Sequence, residues 1–136
     1  MNLICYTDGA CHVSTRKGGI GVVWISDGKI IKTYNKGFND VTNNIMELMA
    51  INAVLLSIKK PINSLEIISD SEYAIGCISK PWNPKKNIAL IKKIRKQLNE
   101  TQKLINNPIK FTHIRGHAGN RFNELCDTLA KSASDE

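Results

Sequence analysis

A two-residue step, Asp27-Gly28, separates two strand-length runs and narrows what this chain can fold into. Gly18-Gly19-Ile20-Gly21-Val22-Val23-Trp24-Ile25-Ser26 precedes it, and Lys29-Ile30-Ile31-Lys32-Thr33-Tyr34-Asn35-Lys36 follows. Asp-Gly between two such runs is a strong signal for a tight antiparallel hairpin. Residues 2–8, with the apolar run Leu3-Ile4-Cys5-Tyr6-Thr7, read as an earlier strand, so the chain opens as a three-stranded meander.

The pattern then changes period. Thr42 or Asn43 caps a helix running to about Ile58, whose apolar residues 45, 48, 49, 51, 55, 56 and 58 form one broad face. Residues 64–69 are a fourth strand, and Ser71 to about Ile78 is a short helix. Pro81-Trp82-Asn83-Pro84 is a rigid elbow. Asn87 to about Leu104 is a helix in which Ile88, Ile91, Ile94, Arg95 and Leu98 recur at helical spacing. Ile109 to Arg115 alternates as a fifth strand, residues 116–120 form a loop, and Arg121 to about Ala133 is the last helix. The order βββαβααβα predicts an α/β fold with a five-stranded mixed sheet flanked by helices. Strands reached through helices lie parallel to the first, and ligands bind at the carboxyl ends of neighbouring parallel strands. With 136 residues, 42% of them hydrophobic, the chain reads as one domain over residues 1–136.

Four acids sit where that architecture builds sites. Asp8 ends the first apolar run, and Asp70 ends Leu65-Glu66-Ile67-Ile68-Ser69. Glu47 is the one charge inside Asn44-Ile45-Met46-Glu47-Leu48-Met49-Ala50, and Asp127 lies ten residues after His117 in the last helix. Carboxylates in apolar surroundings are costly unless neutralised, and four that converge suit a hard, oxygen-preferring cation. Taken singly they have plainer readings. Asp8-Gly9 is also a turn pair, Asp70 also a helix cap, Glu47 also the edge of an amphipathic helix, and Asp127 also an i,i+4 partner for Lys131.

The net charge of +7 has an address. Lys80, Lys85, Lys86, Lys92, Lys93, Arg95, Lys96 and Lys103 face one acid, Glu100, while the other 112 residues balance 11 bases against 11 acids. A localised excess suits a polyanion; its alternative is a solvated helix face. Cys5, Cys11, Cys77 and Cys126 have neither CxxC pairing nor histidines at zinc-ligand spacing and read as reduced thiols. No run approaches the roughly 18 apolar residues of a membrane span, and the N-terminus does not read as a signal peptide. A cytoplasmic protein with no membrane partner is the expectation.

Thr7-Asp8-Gly9-Ala10-Cys11, Gly18-Gly19-x-Gly21, Thr42-Asn43-Asn44-x-Met46-Glu47-Leu48-Met49-Ala50, Ser69-Asp70-Ser71-x-Tyr73, and Gly116-His117-Ala118-Gly119 followed by Asn123-Glu124-x-Cys126-Asp127-x-Leu129-Ala130 together resemble the motif set of type 1 ribonuclease H. They stand in that family's order from Thr7 to Ala133. The resemblance implies a ribonuclease H-like fold and an endonuclease that hydrolyses the RNA strand of RNA–DNA hybrids, leaving 5′-phosphate and 3′-hydroxyl ends. It implies two Mg²⁺ ions, replaceable by Mn²⁺, held by Asp8, Glu47, Asp70 and Asp127. Such ions lie ~3.5–4 Å apart, one activating water and the other stabilising the leaving oxygen. His117 then assists proton transfer or product release, and Glu124 lies close behind the metal ligands. Cys11 and Asn44 lie at the hybrid's minor groove, Gly9 allows close backbone approach to the RNA strand, and Asn43 bridges towards the DNA strand. Thr42 contacts a DNA phosphate, Trp82 packs on DNA sugars, and Lys85 and Lys86 with the basic helix follow DNA phosphates. A monomer is implied.

Three departures stand out. The long basic, tryptophan-bearing loop common in the family is compressed to Lys80-Pro81-Trp82-Asn83-Pro84-Lys85-Lys86. Glu72 replaces a frequent Gln, and His12-Val13-Ser14-Thr15-Arg16-Lys17 replaces a Gly-Asn-Pro run. Other functions compatible with these motifs are a hybrid-binding module without turnover, another nuclease of the wider superfamily, and the nuclease part of a reverse transcriptase.

Overall fold

The computed structural model describes residues 1–80, 82–115 and 119–136. Its strands are β1 (Asn2–Cys11), β2 (Gly18–Ser26), β3 (Lys29–Phe38), β4 (Ser64–Ser69) and β5 (Lys110–His113). Its helices are α1 (Asn43–Ser57), α2 (Glu72–Ser79), α3 (Ile88–Gln102) and α4 (Arg121–Ser134). One sheet runs β3-β2-β1-β4-β5, antiparallel through β3-β2-β1 and parallel through β1-β4-β5. The expected mixed sheet and element order are present. Asp27 and Gly28 both take positive φ (52° and 75°), the mirror-image turn that matches strand twist.

The parity of β2 sorts the two layers. Val22 and Trp24 belong to the larger core with Leu3 and Cys5 of β1, beneath α1, α2 and α3. Val23 and Ile25 face the other way, packing with Tyr6 against Cys126, Phe122 and Leu129 of α4. Every residue of β2 but the last is therefore buried. Alternation along β1 puts Leu3, Cys5, Thr7 and Gly9 on the α1 side and Tyr6 and Asp8 on the α4 side.

The glycine cluster lets both helices approach. A Cβ on Gly19 or Gly21 would collide with the Ala130 or Cys126 carbonyl of α4, so these positions must be bare for α4 to lie directly on the sheet. We expect Gly21→Ala to lower unfolding stability by about 1–3 kcal/mol through overpacking against backbone, measured by urea denaturation. An unchanged midpoint would mean α4 is not seated by that contact.

Several boundaries differ from expectation, β3 among them, which runs on to Phe38 opposite Gly18 instead of stopping at Lys36. β1 continues past Asp8 to Cys11, because β2 still pairs with it there after the parallel partner β4 has ended at Thr7↔Ser69. α3 begins at Ile88: Asn87 has φ 57° and gives its side-chain amide to the Tyr73 hydroxyl (3.2 Å) rather than to a helix cap. β5 covers only Lys110–His113, the stretch that finds partners on β4. Among the described residues no helix is long and apolar enough to cross a membrane.

Candidate active site

Where β1 and β4 part company, the sheet presents its acids. Asp8 lies one residue beyond the last parallel pair, 4% exposed, with the Gly9 amide donating to its Oδ1 at 2.9 Å. Asp70 follows the last residue of β4, and its backbone carbonyl lies 3.2 Å from His113 Nε2. Helix capping falls to Ser71, whose Oγ accepts from Ala74 N at 3.0 Å, so Asp70 is not needed as a cap. Glu47 arrives from α1, capped by Thr42 Oγ1 accepting from Ile45 N (3.2 Å). α1 can sit that close because Gly9 has no side chain: a Cβ there would lie 2.5 Å from Glu47 N. The close approach at Gly9 is thus to a neighbouring helix of the same chain.

One oxygen each from Asp8, Glu47 and Asp70 lies within 4.8 Å of the others. Asp127 stands beside this group on α4. Asn120 caps that helix, accepting from Phe122 N (2.9 Å) and Asn123 N (3.2 Å) while giving its amide to the Tyr6 hydroxyl (3.2 Å). The Cys126 thiol donates to the Tyr6 carbonyl (3.1 Å). These bonds register α4 against β1 and bring Asp127 close enough for its charge to act on Asp8. Asp127 Oδ2 also pairs with Lys131 at 3.0 Å, so the plainer i,i+4 reading of this residue coexists with its place at the site.

The electrostatics of the cluster are unfavourable without a counter-charge. Burial, then the Asp70 and Asp127 charges, push the Asp8 carboxyl up to about 7. Burial, then the Asp8 charge and contact with Asp70, push Glu47 up to about 10. Glu47 Oε1 is buried with no hydrogen-bond partner among the described residues, which rules out the solvated helix edge as its role. Three converging carboxylate oxygens, from residues of which Glu47 also holds a buried oxygen without a partner among the described residues, are the donor set a hard divalent cation takes, and the residues present fit such an ion.

A second feature lies beside α1. Cys11, Thr42, Asn43 and Asn44, all expected at the substrate, line one cleft of about 380 Å³ together with Val13, Arg16 and Val41. Cys11 Sγ donates to the Val41 carbonyl at 3.3 Å. The other cysteines are buried free thiols.

The chain matches the RNase H family model over residues 1–135. The chain belongs to the RNase H family of enzymes. A ribonuclease H of Clostridium botulinum (strain Hall) is 38% identical, the match covering 98% of this chain and 96% of that one. A ribonuclease H of Desulforamulus reducens is 36% identical over 96% of this chain and 86% of its own. The crystal structure of RNase H1 from the halophilic archaeon Halobacterium salinarum NRC-1 superposes with a TM-score of 0.79 over 99% of this chain and 98% of that one. At 23% identity that likeness speaks to the fold, which is RNase H-like.

The remaining expected residues fall in different places. His117, with Gly116 and Ala118, lies outside the described residues, as does Pro81. Glu124 is exposed on the first turn of α4 and makes no side-chain hydrogen bond or ion pair among the described residues. Trp82 is 41% exposed, and its indole occupies the space a Cβ on Gly76 would need. Lys85 and Lys86 are exposed, as are Lys92, Lys93 and Lys96 of α3. Arg95 is turned inward: Nε donates to the Cys77 carbonyl (2.8 Å) and Nη2 to the Trp82 carbonyl (2.7 Å), bracing the elbow. His113 and Arg16 were missed. His113 carried only the signal of a histidine late in a short strand, and Arg16 that of a base inside the segment departing from the family pattern.

Proposed function

We propose that this chain hydrolyses the RNA strand of RNA–DNA hybrids, leaving 5′-phosphate and 3′-hydroxyl ends, with two Mg²⁺ ions that Mn²⁺ can replace. The observation that carries the reading is the group of Asp8, Glu47 and Asp70 oxygens within 4.8 Å, with Glu47 Oε1 unpartnered, in a chain of the RNase H family. Asp8, Glu47, Asp70 and Asp127 would hold the ions, Asp127 exchanging Lys131 for one of them. When bound, such ions activate a water and stabilise the charge that develops on the phosphate and the leaving oxygen. Ser71, by capping α2, and Gly9, by admitting α1, keep Asp70 and Glu47 directed at Asp8. His117 takes a proton-handling role, by resemblance. Glu124 supports the site from the first turn of α4.

For the substrate, Gly9, Cys11, Asn43 and Asn44 meet the minor groove, where a 2′-hydroxyl distinguishes RNA from DNA. Thr42 takes a DNA phosphate. Trp82, steadied on Gly76 and by Arg95, meets DNA sugars, and Lys85 and Lys86 with the exposed lysines of α3 follow the DNA backbone. The protein acts in the cytoplasm as a monomer of one domain, without a membrane partner.

The test is a substrate panel. Hybrid with labelled RNA should be cut in Mg²⁺ or Mn²⁺, with EDTA abolishing cutting, while duplex DNA and four-way junctions stay intact. The downstream fragments should carry a phosphatase-sensitive 5′-phosphate. A chimeric strand with a single ribonucleotide should resist, since a run of them is required. Tight hybrid binding without turnover under every divalent ion would replace the enzyme with a binding module.

A further inference from the structure

The cleft beside α1 carries one charged side chain, and it comes from a segment the hybrid-cleaving reading leaves unused. Arg16 lies in the β1–β2 connection and lines the cleft with Cys11, Thr42, Asn43 and Asn44. The other lining residues are Val13 and Val41, so among the described residues no acid lines the cleft. Among the described residues Arg16 has no ion-pair partner.

The connection is built to hold this arginine in place. Arg16 has φ 59°, a left-handed conformation that is costly for a non-glycine residue. Surrounding bonds enforce it. Arg16 N donates to the His12 carbonyl (2.8 Å), His12 N to the Lys17 carbonyl (2.8 Å), and Val41 N to the Arg16 carbonyl (3.1 Å). The last bond ties Arg16 to the residue preceding Thr42. His12 Nε2 lies 2.6 Å from Asp135 Oδ1 and 3.3 Å from Ser134 Oγ. An ionised carboxylate only accepts, so this nitrogen carries the proton, and the ring fastens the loop to the far end of α4. A strained residue over-determined by its neighbours is a feature of positioned functional groups.

The donors around the cleft select an anion. Thr42 Oγ1 accepts from Ile45 N, which leaves its own O–H to donate. Asn43 and Asn44 are exposed and offer amide N–H groups. A guanidinium fork matches the paired oxygens of a phosphodiester.

We propose that Arg16 is a substrate-binding residue whose guanidinium, with the Thr42 hydroxyl, grips one backbone phosphate of the bound hybrid. His12 is the positioning residue that holds the loop. The proposal rests on the hybrid-cleaving reading and deepens it.

The experiment uses the full chain and hybrids carrying one uncharged methylphosphonate linkage, stepped along the DNA strand in one series and the RNA strand in another. Affinity is read by anisotropy with Ca²⁺ in place of Mg²⁺, and kcat with Mg²⁺. Arg16→Ala should weaken binding about tenfold or more, as expected for a charge-assisted contact. It should raise KM by a larger factor than it lowers kcat, and reduce the slope of log affinity against log salt by about one. Arg16→Lys should keep the salt slope and recover part of the affinity. One linkage should weaken wild type as much as Arg16→Ala does, while Arg16→Ala is indifferent to it; the series containing that linkage identifies the strand. His12→Ala should weaken binding less, and add nothing on top of Arg16→Ala. Unaltered affinity and salt slope in a folded Arg16→Ala protein overturn the proposal, as does undiminished sensitivity of that variant to every linkage. Wild type failing to cut unmodified hybrid would sink the parent reading instead, and the anisotropy arm would still decide the role of Arg16.

Discussion

Asp70→Asn should abolish hybrid cleavage, by about 10³-fold or more, while the protein stays folded and still binds hybrid. The change keeps the shape of the side chain and removes its charge. Asp70 is only partly buried, and the cap of α2 belongs to Ser71, so neither core nor helix loses a contact. The metal site loses one anionic oxygen of three that converge within 4.8 Å. A loss of ~4 kcal/mol in transition-state stabilisation corresponds to that factor, and mis-set catalytic ions account for several kcal/mol. Binding should survive because the groups assigned to the nucleic-acid backbone, Thr42 and the lysines, are untouched. Relief of carboxylate repulsion should, if anything, raise thermal stability without metal. Single-turnover cleavage and anisotropy on one preparation check both halves. Full activity in Asp70→Asn would remove this cluster from the mechanism.

Metal-free protein should grow less stable as pH rises from about 4, by on the order of 3 kcal/mol by about pH 7 and further towards about 10 as Glu47 ionises, and Mg²⁺ should restore stability at pH 8 but not at pH 5. Asp8 stands at about 7 in the folded chain against an ordinary 3.8, and Glu47 is raised as well. Between the unfolded and folded values the folded state binds more protons. Stability therefore falls with increasing pH, opposite to a salt-bridged carboxylate. Below the unfolded value both states are protonated and the penalty vanishes. A divalent cation supplies the missing positive charge, so its stabilisation should be greatest where the carboxyls must otherwise ionise against one another. Urea midpoints at pH 5 and pH 8, with EDTA or Mg²⁺, measure this. Asp8→Asn should lessen the metal-free pH dependence, leaving the share that burial of Glu47 contributes, and a wild-type stability that rises with pH would contradict the electrostatic account.

The element order was legible because each segment's periodicity and turn residues agree with its final environment. Asp27-Gly28 is the clearest case, since a local turn dictates the pairing of its flanks. The true extent of β1 was not legible. Asp8-Gly9-Ala10-Cys11 is no longer an apolar run, and only the continued presence of β2 keeps it extended. The acids were legible as a set, through motif spacing and the apolar neighbours of Glu47. How they converge was not, because it depends on packing between distant segments: bare Gly9 under α1, bare Gly19 and Gly21 under α4. Arg95 counts as charge in the sequence, yet its guanidinium folds onto two carbonyls and serves the elbow. Arg16 looked like one more base in a loop until the backbone brought that loop alongside Thr42.

The seating of α4 across the glycines of β2 has a consequence for a chain still being made. Asp8 is translated well before Asp127, and the cross-strand neighbour of Asp8, Gly21, is bare where the helix that carries the latter packs. A nascent polypeptide halted before that helix emerges holds Asp8, Glu47 and Asp70 but leaves Val23 and Ile25 of β2 uncovered.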